Sequence, residues 1–137
     1  MAVDDMDLDE LDLFKNLDRK ERAVVRTLGT TIRIDAGRVV VEEGTIGRQF
    51  AVVLDGLLEV TRSGEHVALL SAGECAGEIS LMLGHGATAT ATVTTAVPST
   101  VWVLDRNEFS QLCELVPGAF QRISDVALHR AFANASH

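Results

Sequence analysis

Ala36-Gly37-Arg38-Val39-Val40-Val41-Glu42-Glu43-Gly44, followed by Gly47, Gly56, Gly73 and the block Gly77-Glu78-Ile79-Ser80-Leu81, is the stretch that decides the fold. Short apolar runs lie between glycines at intervals of roughly ten residues, the pattern of many short strands joined by tight turns. Working outward, Ile32 and Ile34 alternate with Thr31, Arg33 and Asp35, as in a half-buried strand. Phe50–Leu54, Leu57–Val60 and Val67–Leu70 continue the set, with hairpin signals at Asp55-Gly56 and Ser63-Gly64. After Gly77 the period changes: Ile79, Leu81 and Met82 fit one or two helical turns, which Gly84-His85-Gly86 ends. Thr88–Val97 alternates Ala, Thr and Val with almost no charge, and Val101–Leu104 makes a last strand.

Helical periods occupy both flanks. Leu8, Leu11, Leu13, Phe14 and Leu17 suggest a short amphipathic helix. Asp18 is placed to cap a second, with Ala23, Val24 and Leu28 as its apolar face and Gly29 as its stop. Asn107-Glu108-Phe109 opens a helix through Leu115, and Pro117-Gly118 breaks it. The last helix carries Phe120, Ile123, Ala127 and Ala131 on one stripe, with Leu128 and Phe132 beside it. The expected class is α+β: a β-roll or jelly-roll barrel of about eight strands, with helices at both ends and a short helix inserted late.

A chain of 137 residues is expected to form one domain. Its net charge of −8 argues against DNA as a direct partner, because neutralising phosphate is the main source of non-specific nucleic-acid affinity. No apolar run approaches the eighteen or so residues of a membrane span, and the acidic start is unlike a signal peptide, so the expected location is cytoplasmic. Asp4, Asp5, Asp7, Asp9, Glu10 and Asp12 read as a solvated leading segment. Cys75 and Cys113 lie far apart and read as small buried hydrophobes, and the four histidines show no helical metal spacing. No nucleophile sits beside a base and no carboxylate pair appears in the motif regions, so neither a catalytic nor a metal site is expected.

The ordered glycine motifs resemble those of the cyclic nucleotide-binding domain, shared by catabolite-activator-type regulators, kinase regulatory subunits and gated channels. Ala36-Gly37 to Gly47 looks like the family's first glycine turn, and Phe50–Gly56 with Leu58-Glu59-Val60 looks like its following strand pair. Gly77-Glu78-Ile79-Ser80-Leu81 is similar to its Gly-Glu-(Leu/Ile)-(Ala/Ser)-Leu cassette. A short helix opening at Gly77 aims free N–H groups at an anion. By the resemblance, Glu78 accepts a hydrogen bond from a ribose 2′-hydroxyl; a carboxylate at that place also stabilises the helix through its dipole.

One family residue is missing. An arginine that pairs with the cyclic phosphate follows the cassette helix, in a Pro-Arg-(Ala/Ser)-Ala pattern. Here the stretch reads Gly86-Ala87-Thr88-Ala89-Thr90-Ala91-Thr92-Val93, and no Arg or Lys stands between Arg62 and Arg106. Counting forward from Gly77 puts Ala87 at the arginine position, and counting back from Val93 puts Ala89 there, so the stretch is longer than usual by about two residues. A charge-assisted contact to phosphate supplies about 1.5–3 kcal/mol, or one to two orders of magnitude in affinity. Hydroxyls of Thr88, Thr90 and Thr92, or a protonated His85, are the local substitutes, although the threonines also suit a strand surface and His85 a turn.

The expected organisation is one domain over 1–137: N-terminal helices over 1–28, a β-roll over 29–105 with its cassette at 77–93, and C-terminal helices over 106–137. The expected ligand-binding residues are Gly77, Glu78, Ile79, Ser80, Ala87, Thr88, Ala89 and Thr90. The resemblance implies a stand-alone regulatory module that binds cAMP or cGMP, or another small anion, weakly or atypically and signals to a partner protein. No further cofactor, no membrane and no direct DNA contact are expected. The final helical stripe offers itself either to its own roll or to a homodimer. The alternative is a degenerate, ligand-free domain that serves as a constitutive interaction or scaffold subunit.

Overall fold

Phe50–Leu54 and Val101–Leu104 are apolar without interruption, which strands tolerate only when both of their faces are covered. The structure, a computed structural model, describes residues 11–78, 81 and 86–135, and side chains as far as His129. Among the described residues the order is a 3-10 turn (Asp12–Phe14), α1 (Arg19–Thr27), β1 (Thr30–Ile34), β2 (Val39–Val41), β3 (Gln49–Asp55) and β4 (Leu58–Arg62), then β5 (Glu65–Leu70), β6 (Cys75–Ala76), β7 (Thr92–Thr95), β8 (Ser99–Asp105), α2 (Arg106–Leu115) and α3 (Pro117–Ala135). The strands form two antiparallel four-stranded sheets, ordered β1-β8-β3-β6 and β2-β7-β4-β5, stacked as a jelly roll.

Strand parity explains the double burial. Ala51 and Val53 of β3 and Val101 and Val103 of β8, with Ala76 of the same sheet, face the second sheet and meet its Leu58, Leu70 and Val93. Phe50, Val52 and Leu54, with Trp102 and Leu104, face the other way and are covered by Phe14, Val25, Phe109, Leu112 and Ile123 of the helical flanks. At about 1.5–3 kcal/mol for each fully buried large side chain, these two cores provide the main driving force for the fold.

The helices begin where the sequence marks them. Asp18 and Glu21 form a reciprocal capping box at α1, and Asp105 and Glu108 form another at α2. The second box also ties the ends together, because Glu108 Oε2 accepts from Gly29 N–H at 2.9 Å. At the Ser63-Gly64 hairpin both residues have positive φ, 53° and 83°, matching the twist of β4 and β5.

Several expectations are corrected. The first helix is a single 3-10 turn, with Leu13, Phe14 and Leu17 buried; Leu8 lies outside the described residues. In α1 the buried face is Val25 with Val24, while Ala23 is exposed. The Thr/Val run is a strand only over Thr92–Thr95, because residues before it pair as a loop with the first glycine turn. Pro117 opens α3 rather than ending α2: its missing N–H falls where a helix needs none, so the break narrows to Val116. On α3, Ile123 and Ala119 are fully buried whereas Phe120 is 42% and Leu128 59% exposed; Ala131 and Phe132 lie beyond the described side chains.

Candidate functional site

The roll opens where two loops zip together. Gly44 N–H donates to Ala89 O at 2.9 Å, Ala89 N–H to Thr45 O at 2.8 Å, and Gly47 N–H to Ala87 O at 3.0 Å. The stretch 87–89 after the cassette is therefore held by backbone bonds to the first glycine turn. Arg106 clamps the same turn, its Nη2 donating to Gly47 O at 2.8 Å. Beside this zipper lies a cleft of about 430 Å³, lined by β2, residues 45–49, Gly77 and Ala89. That volume falls within the usual range for small-ligand pockets.

The cassette enters the cleft wall at Gly77, whose φ of +94° suits glycine. A Cβ there would run into the carbonyl oxygen of Gln49, so the chain crosses β3 at a distance only glycine allows. Glu78 and Leu81 are helical, and Leu81 N–H donates to Gly77 O at 3.3 Å. Glu78 is only 2% exposed. A buried carboxylate is costly unless its oxygens are engaged, and the Cys75 thiol donates to Glu78 Oε1 at 3.7 Å. The i, i+3 spacing and the entry from β6 bring thiol and carboxylate together, giving Cys75 a polar role beside its packing one.

The expected site residues divide. Gly77 and Ala89 line one cleft, with Glu78 buried next to Gly77 in the chain. Ala87 is half-buried, while Thr88 and Thr90 are exposed and do not line the cleft. Thr92 Oγ1 is occupied, accepting from Glu43 N–H at 3.0 Å. Ile79, Ser80 and His85 lie outside the described residues.

Two arginines absent from the sequence-based site flank this stretch. Arg48 lines the cleft from the turn before β3 and is exposed. Arg62, half-buried at the end of β4, donates from Nε to Thr90 O at 3.2 Å. Both fall outside the interval 63–105, where a cassette cation would stand. Parity was the available signal for Arg62: Leu58 and Val60, on the same side of β4, pack into the inter-sheet core.

A second cleft, of about 490 Å³, lies between the cassette and the C-terminal helices, lined by Leu81, Phe109, Cys113, Phe120 and Ser124 among others. Leu81 belongs to the core that faces the helices, so it links the cassette turn to α2 and α3. Burial pushes the Cys113 thiol up from its ordinary value. Among the described residues no three metal-ligating side chains are grouped, and no helix is long and apolar enough to cross a membrane.

Residues 31–115 match the family model described as the cyclic nucleotide-binding domain. A cAMP-dependent protein kinase regulatory subunit of Mucor circinelloides f. lusitanicus is 36% identical over 95 residues, covering 69% of this chain and 22% of that protein. Among solved structures, cAMP-bound PfPKA-R superposes with a TM-score of 0.78 at 25% identity, over 97% of this chain and 44% of the other. The regulatory subunit of a cAMP-independent protein kinase A from Trypanosoma brucei superposes with a TM-score of 0.83 at 15% identity, over 96% of this chain and 48% of the other. A triply substituted form of that trypanosome protein, one change of which introduces an arginine, is bound to cAMP. The chain thus spans half or less of the length of each of these proteins.

Proposed function

Because this chain belongs to the cyclic nucleotide-binding domain family, we propose that it is a regulatory sensor module that takes a cyclic purine nucleotide at the mouth of its roll and reports occupancy to a partner protein. The observation that carries this reading is Glu78: a carboxylate 2% exposed, one residue past the glycine that lines the cleft. Such a group has a purpose where a ligand hydroxyl must be recognised, since a site built to hydrogen-bond a hydroxyl strongly rejects analogues that lack it. The names of the relatives agree, one being a cAMP-dependent kinase regulatory subunit and another a cAMP-bound protein.

Signalling would run through Leu81. Ligand drawing the Gly77–Leu81 turn inward moves a side chain that is packed in the helix-facing core. Phe109 and Phe120 line the same second cleft, so α2 and α3 are displaced with it. Ligand then shifts the population of helix positions by its differential affinity for them, and α3 presents the change to the partner. No reaction is assigned to the module.

A second reading has its own support. Neither Ala87 nor Ala89 offers a cation, and the lengthened stretch is zipped shut against the first glycine turn. The trypanosome relative of this shape is called cAMP-independent, and its cAMP-bound form carries an introduced arginine. On this reading the domain is a ligand-free interaction subunit. Thermal melting with cAMP, cGMP and the plain nucleotides, with Glu78→Ala as control, separates the two. A ligand that binds only the folded state at a hundred times its dissociation constant stabilises by about 2.7 kcal/mol, several degrees for a small domain. A shift abolished by Glu78→Ala supports the sensor; no shift at millimolar nucleotide supports the interaction subunit.

A further inference from the structure

We infer that Arg48, the cation in the lining of the candidate cleft, meets the ligand's phosphate in place of an arginine on the cassette. The inference rests on the sensor reading above and names how its site is completed.

A phosphate anion needs a guanidinium or ammonium close to where it sits, and the chain from Gly77 to Val93 holds none. The cleft does hold one. Among its described lining residues only Arg48 is a lysine or arginine, and it shares that lining with Gly77 and Ala89. Ala89 is the position where the cassette arginine is missing when the stretch is counted back from Val93. Two other arginines come near and are engaged elsewhere. Arg106 donates to Gly47 O at 2.8 Å and Arg62 to Thr90 O at 3.2 Å, and neither lines the cleft.

Arg48 is anchored by its neighbours and open at its tip. On one side, Gly47 N–H donates to Ala87 O at 3.0 Å, and Gly47 O takes the Arg106 bond. On the other, Gln49 pairs with Asp105 in the ladder of β3 with β8, and its carbonyl lies so close to Gly77 that a Cβ there has no room. The backbone at 48 therefore sits between the glycine turn and the entry to the cassette. The same turn carries the bonds between Ala89 and both Gly44 and Thr45, so the vacated position lies alongside the segment that leads into Arg48. The guanidinium makes no hydrogen bond or ion pair with any described residue. Its planar fork of donors is thus available to an anion.

The rest of the lining bears on the strength of the contact. Glu42 is the one carboxylate among the described lining residues, and it forms no ion pair with Arg48 that would neutralise the cation. Arg48 is exposed, so holding it on a phosphate costs side-chain entropy and salt screens the attraction. The contact is accordingly weaker than a buried one and dependent on ionic strength. Glu78 and Arg48 then divide the ligand, the carboxylate taking the ribose hydroxyl and the guanidinium the phosphate.

The test compares cAMP with adenosine, which keeps the base and the ribose hydroxyl but has no phosphate. Dissociation constants for both are measured at low and at high salt. The proteins are the full chain, Arg48→Gln, Arg48→Lys, Glu78→Gln and Arg33→Gln, which removes the same charge from an exposed site outside the lining; each is first shown to melt cooperatively without ligand. At low salt the unaltered chain should prefer cAMP by about tenfold, and the preference should shrink as salt rises. Arg48→Gln should lose both the preference and its salt dependence while binding adenosine as before. Arg48→Lys should keep part of the preference, and Arg33→Gln all of it. Preference retained in Arg48→Gln, or lost equally in Arg33→Gln, overturns the assignment and leaves the sensor reading standing. So does equal binding of cAMP and adenosine by the unaltered chain, provided that Glu78→Gln abolishes both. If the unaltered chain binds neither compound, or binds them regardless of Glu78→Gln, the sensor reading fails and the role of Arg48 fails with it.

Discussion

The two faces of β3 and β8 support different kinds of core. Toward the helices the strands present Phe50, Trp102 and Leu104, which meet Phe14, Phe109 and Leu112. Phe14 stands edge-on to Trp102 with ring centroids 5.5 Å apart, and the indole N–H donates to Leu28 O at 3.1 Å. Toward the second sheet the same strands present only Ala51, Val53, Val101 and Val103. Large interlocked rings fix the helices on one side; on the other, small side chains pack with Val40 and Val41, which also line the candidate cleft. The difference places most of the stability in one layer and the candidate ligand cleft in the other.

Neighbouring residues on β8 give the sharpest contrast, because Trp102 and Val101 point into opposite cores. Trp102→Ala should cost about 3–5 kcal/mol, seen as a large fall in the denaturant midpoint, since it removes a buried ring, an aromatic contact and the tie to Leu28 together. Val101→Ala should cost about 2 kcal/mol, two methylene equivalents and a small cavity. Equal losses would break the comparison. Glu78→Gln should leave unliganded stability within about 1 kcal/mol of the parent, because an amide relieves the cost of a buried charge while keeping the shape, yet it should remove the nucleotide-dependent shift. A large unliganded loss would make Glu78 structural instead. The smallest effect concerns Cys113. With its thiol pushed up by burial, it should alkylate more slowly near pH 8 than a free thiol, and faster as pH rises further. A rate equal to that of free cysteine would show that the second cleft is more open than described.

Local chemistry was legible in the residues, and contacts across the fold were not. Asp18 and Asp105 each stand three residues before a glutamate, so both capping boxes are written in the chain, and the first was read at its cap. Ser63-Gly64 announced its hairpin, but Asp55-Gly56 carries the same signal and instead joins strands of different sheets, β3 and β4. Pro117 shows the limit of such signals, since a proline suits the first turn of a helix as well as a break after one. The stripe on α3 was placed through Phe120, yet burial follows Ala119, Ile123 and partly buried Val126, a face displaced from the predicted one. At the candidate site, Gly77 and Glu78 were visible as a motif. The contact of Arg62 with Thr90 beside it was not, because it spans 28 positions of sequence and is made by the pairing of β4 with β7. The Cys75 contact to Glu78, by contrast, spans three positions and was within reach of a local reading.

Titrating the backbone amide spectrum of the full chain with cAMP tests the central claim most directly, because it locates the ligand as well as detecting it. The account predicts the largest changes at Gly77, Glu78 and Ala87–Thr90, with smaller ones spreading through Leu81 to Phe109 and Phe120. A spectrum unchanged at millimolar cAMP, or changes centred on Phe109–Ser124 with the cassette silent, would contradict it.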